Sequence, residues 1–310
     1  MSNTFGSKYK VTTYGESHGV AIGGVIDGCP AGLAYDAEMM AHEMARRHEG
    51  ARSTTRHEAD TVEILSGIHE GYTLGTPIAF KIANNDARSD DYDTLKELYR
   101  PGHADYTYEA RYGRRDHRGG GRASGRETAA RVAAGAIAKM VLADKGISVH
   151  AAIAESISTP SDDSSGGVIT CTIEGVKAGI GDPVFNKLNA HLAAAMMSIP
   201  SAIGFEMGAG FAAARMTGSQ YRDKWRGDGT MATESNHCGG IQGGISNGMP
   251  IEFRVAFHPV VTIGQATECI DRQGQVRIWE PQGRHDSNHL PRTIVVVEAM
   301  AAMTIADYLV

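Results

Sequence analysis

Residues 127 to 145, ETAARVAAGAIAKMVLADK, read as one long helix that is apolar on most of its faces. A surface helix carries one apolar stripe and a charged back, so a helix apolar nearly all round must be covered from several sides. Asn186 to Met197 (NKLNAHLAAAMM) and Glu298 to Leu309 near the C-terminus are of the same kind. Asp36 stands where its side chain can cap a further helix, AEMMAHEMARR. The covering layers are legible as alternation: Tyr9, Val11 and Thr13 in KYKVTTY, Ile78, Phe80 and Ile82 in PIAFKIA, Ile169, Cys171 and Ile173 in VITCTIE, and Ile251, Phe253 and Val255 in IEFRVAF. A period of two with one apolar face is the mark of an antiparallel sheet buried on one side. The fold class expected is therefore α+β, with long apolar helices packed between antiparallel sheets. Strand followed by long helix occurs near residue 130 and again near 190, so a single domain over residues 1–310 with two related halves is expected.

The chain is long enough for a large core, and its 42% hydrophobic and 21% charged residues fit a globular protein. A formal net charge of −6 argues against a general nucleic-acid binder. The apolar runs are too short or too interrupted to span a bilayer, and MSNTFGSKYK has no signal-peptide core. Cys29, Cys171, Cys238 and Cys269 are widely spaced, which points to reduced thiols, a cytoplasmic location, and neither a disulfide framework nor a metal site.

Against that acidic background, RYGRRDHRGGGRASGR (Arg111 to Arg126) gathers six arginines around three consecutive glycines, just before the long helix. Guanidinium forks match phosphate and carboxylate, glycine admits close backbone approach, and a helix N-terminus favours negative charge. A small anionic ligand, such as a phosphate ester, is the expectation; a solvated basic loop and an RNA-binding arginine–glycine segment are the rivals. Four other segments carry chemistry-bearing residues. GESHG holds His18 between glycines past a strand end, as a neutral-pH general acid or as a solvent-facing turn. RPGHAD sets His103 on a Pro-Gly turn and leaves Arg100 to reach an anion, or is a surface turn with a capping aspartate. SNHCGGIQGGISNG is a ligand-hugging loop or a glycine-rich turn, without Rossmann spacing. GRHD, before a run of β-branched residues, offers an anion binder and a base in Arg284 and Asp286, or a surface ion pair.

Separately these are weak signals. In order along one chain, GESHG, RRHEGARSTTR, RPGHAD with YTYEARYG, GGGRASGRETAARVAAGA, SNHCGGIQGGISNG, and GRHD before VVVEAM resemble the chorismate synthase family over nearly the whole length. The resemblance implies conversion of 5-enolpyruvylshikimate 3-phosphate to chorismate and phosphate, a lyase reaction that ends the shikimate pathway. It implies an anti-1,4-elimination with reduced FMN as cofactor, NADPH acting only as an indirect source of reduced flavin. A homotetramer and a flavin reductase as partner are implied too. Residue by residue, His18 corresponds to the proton donor, His103 to the histidine near the flavin pyrimidine, and Asp286 to the carboxylate near flavin N5. Arg122, Ala123, Ser124, Pro200, Ser201, Gly243, His258, Pro259, Val260, Val261, Thr262 and Arg284 correspond to flavin contacts. Arg47, Arg52, Arg100, Arg126 and Ser17 correspond to the phosphate-binding and relay side. The chain departs from the family where His258-Pro259-Val260 replaces Lys-Pro-Thr, at Pro200-Ser201, and between Ser158 and Asp163, where an insert is shortened. A flavin oxidoreductase acting on a small anionic substrate is the alternative, and it would need a nicotinamide site for which no fingerprint is visible.

Overall fold

The structure, a computed structural model, describes residues 3–48, 60–85, 95–158, 160, 163–281 and 288–310. Five antiparallel strands make a first sheet in the order β1 (Thr4–Phe5), β2 (Lys10–Tyr14), β3 (Ala21–Asp27), β7 (Ile78–Ala83) and β4 (Val62–Ile64). Four make a second, in the order β11 (Ala202–Met207), β14 (Ile251–Phe257), β10 (Gly167–Glu174) and β9 (Ser148–Ser156). Smaller pieces are the hairpins β5 (Ile68–His69) with β6 (Tyr72–Thr73) and β12 (Ile241–Gln242) with β13 (Ile245–Ser246), and a three-stranded sheet of β16 (Val276–Trp279), β15 (Thr267–Asp271) and β8 (Leu98–Tyr99).

Helices α1 (Ala37–Arg46), α3 (Thr128–Ala143), α4 (Leu188–Met197) and α6 (Leu290–Leu309) fill the space between the two large sheets. Helix α3 lies on β2, β3 and β7, α6 lies on β9 and β10, and the two helices pack on each other. The result is sheet, helix, helix, sheet, as the apolar helices require. Gly135 allows the central contact: a Cβ there would fall 2.3 Å from the Cβ of Ala299. The strand alternation is realised, with Ile169, Cys171 and Ile173 of β10 and Ile251, Phe253 and Val255 of β14 all in the core. Asp36 caps α1 through Oδ1, which accepts from the Met39 N–H at 2.8 Å. Two shorter helices, α2 (Asp105–Tyr112) and α5 (Gly218–Tyr221), lie in connections.

Three things differ from the sequence reading. Helix α6 begins at Leu290 rather than near Glu298, so the β-branched run Thr293 to Val297 is helical. Pro291 favours a helix start there, and burial of Thr293 and of Val295 to Val297 between layers outweighs strand propensity. Strand β3 escapes an alternation pattern because Gly23 and Gly24 lie in it. A Cβ on Gly23 would come within 2.3 Å of Phe80 O, so glycine is what lets the two strands close. Strands β9 and β11 escape because their apolar faces are only partly covered.

Within the helical layer the structure buries ions. Lys139 Nζ of α3 lies 2.6 Å from both Glu43 Oε2 of α1 and Glu298 Oε2 of α6. Arg46 joins with Nη1 at 2.5 Å and Nη2 at 3.0 Å from the two oxygens of Glu298. The Ala151 N–H donates to Glu298 Oε1 at 3.0 Å, which ties the network to β9.

Candidate active site

At the N-terminal ends of α3 and α6 the layers part around a cavity of about 1970 Å³. Among the described residues it is lined by eight arginines against six carboxylates, so it is cationic within a chain of net negative charge. Two motifs far apart in sequence meet at its wall. The Ser17 N–H donates to Gly121 O at 3.3 Å, and Ser17 Oγ lies 3.3 Å from Arg118 O and from Gly119 O. Carbonyls only accept, so the hydroxyl proton is drawn to them and Oγ is left to accept from His18 Nδ1, 3.1 Å away. Gly119 is in the left-handed region (φ +61°), and a Cβ on it would sit 2.2 Å from His18 Cε1. The glycine run therefore lets its backbone lie against the imidazole. Asn84 completes the joint: its Nδ2 donates to Glu16 O and Gly19 O, both at 3.0 Å, and its Oδ1 accepts from Arg126 Nε at 3.0 Å.

The positive charge is arranged differently from the sequence expectation. Helix α3 starts at Thr128, after two short 3-10 turns, and the N–H groups of Gly121, Ala123, Ser124 and Glu127 are spent on carbonyls within the run. Glu127 sits at the helix start and binds Thr13 Oγ1 at 3.0 Å and Arg131 Nε at 2.9 Å. A carboxylate of the chain thus already faces the helix dipole, and the guanidinium groups supply the anion field. The run is also divided in use. Arg122 donates to Thr13 Oγ1 at 2.8 Å and Arg126 to Asn84 and Asp60, whereas Arg115 holds Leu95 O and Leu98 O at 2.7 and 2.8 Å as a structural clamp. Arg118 turns back onto Asp116.

Arg100 is the clearest correction. It is not left to reach an anion: Nε and Nη2 hold the two oxygens of Asp105 at 2.8 and 2.9 Å. Although burial pushes the Asp105 carboxyl up, Arg100 holds it below the ordinary range. On the same turn His103 lies between Pro101 O, 3.0 Å from Nδ1, and Thr262 Oγ1, 2.8 Å from Nε2. The carbonyl can only accept, so Nδ1 carries the proton and Nε2 accepts from the threonine. Burial and the nearby Arg100 lower the His103 pKa, which keeps this neutral form.

A family model described as chorismate synthase matches residues 9–161 and 154–310. The chain belongs to the chorismate synthase family. It is 47% identical to a chorismate synthase of Azobacteroides pseudotrichonymphae, over 99% of this chain and 98% of that one. It is 46% identical to a chorismate synthase of Synechocystis sp., over 100% and 97%. A solved structure titled "Crystal Structure of Chorismate Synthase" superposes with a TM-score of 0.75 at 30% identity, covering 96% of this chain and 90% of that one.

Of the residues singled out by resemblance to chorismate synthases, His18, Arg47, Arg100, His103, Arg122, Ala123, Ser124, Arg126, Pro200, Ser201 and His258 to Thr262 all border this one cavity. Ser17 sits behind His18, buried. Gly243 does not border the cavity: it lies in the β12–β13 turn, next to a glycine packed on Lys187. Arg52, Arg284 and Asp286 lie outside the described residues. The structure adds wall residues that the sequence analysis did not single out, Asp60, Arg131, His289 and Arg292, with Asn84 bonded to Arg126 beside them. The Pro291 helix-start signal could have placed Arg292 in a first helical turn; a lone aspartate in HEAD carries no such mark.

His289 gives a testable pH signature. Its Nε2 lies 2.8 Å from Ser201 Oγ, a serine held at φ +67°, and its Nδ1 is buried without a hydrogen bond. Burial, then His258, pushes its pKa down to about 4. A histidine depressed below its ordinary value stabilises the fold above that value. It loses the contribution as pH falls, because the unfolded chain takes a proton that the folded chain refuses. From this group alone stability should drop by roughly 3 kcal/mol between about pH 6.5 and about pH 4. His289→Gln should flatten that part of the urea-unfolding profile, and an unchanged slope would assign the loss to other groups.

Proposed function

We propose that this chain converts 5-enolpyruvylshikimate 3-phosphate to chorismate and phosphate by anti-1,4-elimination, losing phosphate from C3 and a hydrogen from C6. The observation that carries the reading is that His18, His103 and an arginine cluster border one cavity in a chain of the chorismate synthase family. The substrate bears a phosphate and two carboxylates, so a cationic wall is what its binding needs. Pockets for a single small ligand are typically about 300–1,000 Å³, and this cavity has room for two ligands side by side.

The residues present fit FMN as the second ligand. Arg122, Ala123 and Ser124 border the cavity together with His103 and with His258 to Thr262, so cation, neutral imidazole and hydroxyl donors are available to a flavin phosphate and ring. Reduced FMN, when bound, supplies electrons to a reaction with no net redox change. The chain's own residues do the rest. His18, acting as the imidazolium, gives the Nε2 proton to the departing phosphate or to the substrate and keeps its Nδ1 proton on Ser17 Oγ. His103, held neutral between Pro101 O and Thr262 Oγ1, would pack beside the flavin's polar edge. Arg47 and Arg126 hold the anionic groups, and Asp286 assists removal of the C6 hydrogen.

A homotetramer, a separate flavin reductase and a cytoplasmic location belong to the same reading. Among the described residues no helix is long and apolar enough to cross a membrane. Incubation with the substrate and reduced FMN should yield chorismate absorbance and one phosphate per turnover. Phosphate release without chorismate, or no reaction with reduced flavin present, would overturn the assignment.

A further inference from the structure

Between the two arginines given above to the anionic ligands lies a carboxylate with no role in that account. The Asp60 side chain has 0% exposure and lies on the cavity wall. Oδ1 takes Arg126 Nη1 in a short contact, and Oδ2 lies 3.4 Å from Arg47 Nε and 3.3 Å from His48 Nε2. The partners come from two places: Arg47 and His48 follow α1, and Arg126 precedes α3. Each arginine is held at a second point as well. Arg47 Nη1 donates to Thr128 Oγ1 at 2.7 Å, and Arg126 Nε donates to Asn84 Oδ1 at 3.0 Å. Asp60 has φ +46°, a conformation that a side chain with a Cβ rarely adopts, so the surroundings hold the carboxylate in place at a backbone cost.

We propose that Asp60 is a positioning residue for the anion site: its buried carboxylate holds Arg47 and Arg126 side by side, so that their charges meet one ligand. The inference rests on the functional reading above for the identity of that ligand. The geometry explains why a negative charge belongs in a site for anions. Two buried guanidinium groups with no counter-charge would repel each other and turn towards solvent. Burial already lowers the Arg47 pKa to about 10; Asp60 opposes that fall, while Arg126 and Arg292 add to it. One carboxylate between two arginines keeps them together and leaves net positive charge for the ligand. Asp60 Oδ2 and Arg47 Nε also have no well-formed hydrogen bond. Their contact is ionic and loosely aligned, which leaves Arg47 able to adjust as an anion binds.

The sign of one measurement separates this role from its rival. If Asp60 acted only through its charge, it would repel an anionic substrate, and Asp60→Asn would bind more tightly. If it positions the arginines, Asp60→Asn binds more weakly. The full chain is titrated calorimetrically with 5-enolpyruvylshikimate 3-phosphate, and kcat and KM are measured with reduced FMN. The expected result is a rise in Kd and KM of about tenfold or more, a much smaller change in kcat, and retained circular dichroism. Affinity equal to or tighter than wild type in a folded Asp60→Asn protein overturns the proposal. If that variant does not fold, Asp60→Glu keeps the charge and displaces it by one methylene. It should still weaken binding several-fold, and wild-type affinity there overturns the proposal equally. Failure of the wild-type protein to bind the substrate would instead sink the functional reading, so the two failures are distinguishable.

Discussion

His18→Ala should lower turnover about 10²–10⁴-fold while leaving the fold and the binding of anionic ligands in place, the range typical of a lost general acid or base. The size of the effect follows from how much of the structure is committed to this imidazole. Ser17 binds its Nδ1, and Gly119 lies so close to the ring that a Cβ would overlap it. Asn84 pins the flanking backbone through Glu16 O and Gly19 O. A ring held this way presents one nitrogen to the cavity without a search over rotamers, which is what positioned proton transfer requires. The charged wall is separate from it: Arg47, Arg122 and Arg126 are anchored on Thr128, Thr13 and Asp60. The alanine variant should therefore fall in kcat with only a modest change in KM. Steady-state kinetics under reducing, anaerobic conditions, with circular dichroism as the folding control, would decide. Turnover within a few-fold of wild type would remove His18 from the chemistry and leave it as packing beneath the glycine run.

Lys139→Met should cost about 3–5 kcal/mol of stability at neutral pH, the usual consequence of breaking a buried ion pair from one side. Methionine matches the lysine stem in length and flexibility, so little packing is lost. What remains is the pair Glu43 and Glu298, buried close together with Arg46 as the one cation left in the network described here. Although burial pushes the Glu298 carboxyl up, Arg46 and Lys139 now hold it below its ordinary range. Removal of Lys139 reverses much of that balance, and one carboxyl of the pair should bind a proton in the folded state. The sign is then determined. The folded variant holds more protons than its unfolded chain, so its deficit relative to wild type should shrink as pH falls towards the carboxylate range. Urea unfolding near neutrality and near pH 5 would measure this. A second change, Glu43→Gln, should recover part of the neutral-pH loss. A single variant of wild-type stability would mean that water reaches the network and that the ions are not truly buried.

Much of this architecture was legible in the chain. Residues 127 to 145 could not be stable as an exposed helix, and the alternation around Phe80, Cys171 and Phe253 could only be one-sided sheet. Those two periodicities together demand helices between sheets, whatever the connections, because they state how much apolar surface must be covered and from which direction. The ordered motifs likewise placed His18, His103 and the arginine run in one family. Other features were beyond a linear reading. Thr293 to Val297 is a strand-like sequence that forms a helix, because burial on both faces is worth more than local propensity. RPGHAD does not reveal that Arg100 closes on Asp105, since a flexible side chain takes whichever partner the fold brings within reach. Nor does HEAD, at residues 57 to 60, announce a carboxylate between Arg47 and Arg126. Patterning and motif order along the chain were enough for the layers, the family and many of the residue types found on the cavity wall. The tertiary structure decided which charges are spent on one another and which remain for a ligand. Patterning is a local property of the chain, whereas ion pairing depends on distances between segments that meet only when the layers close.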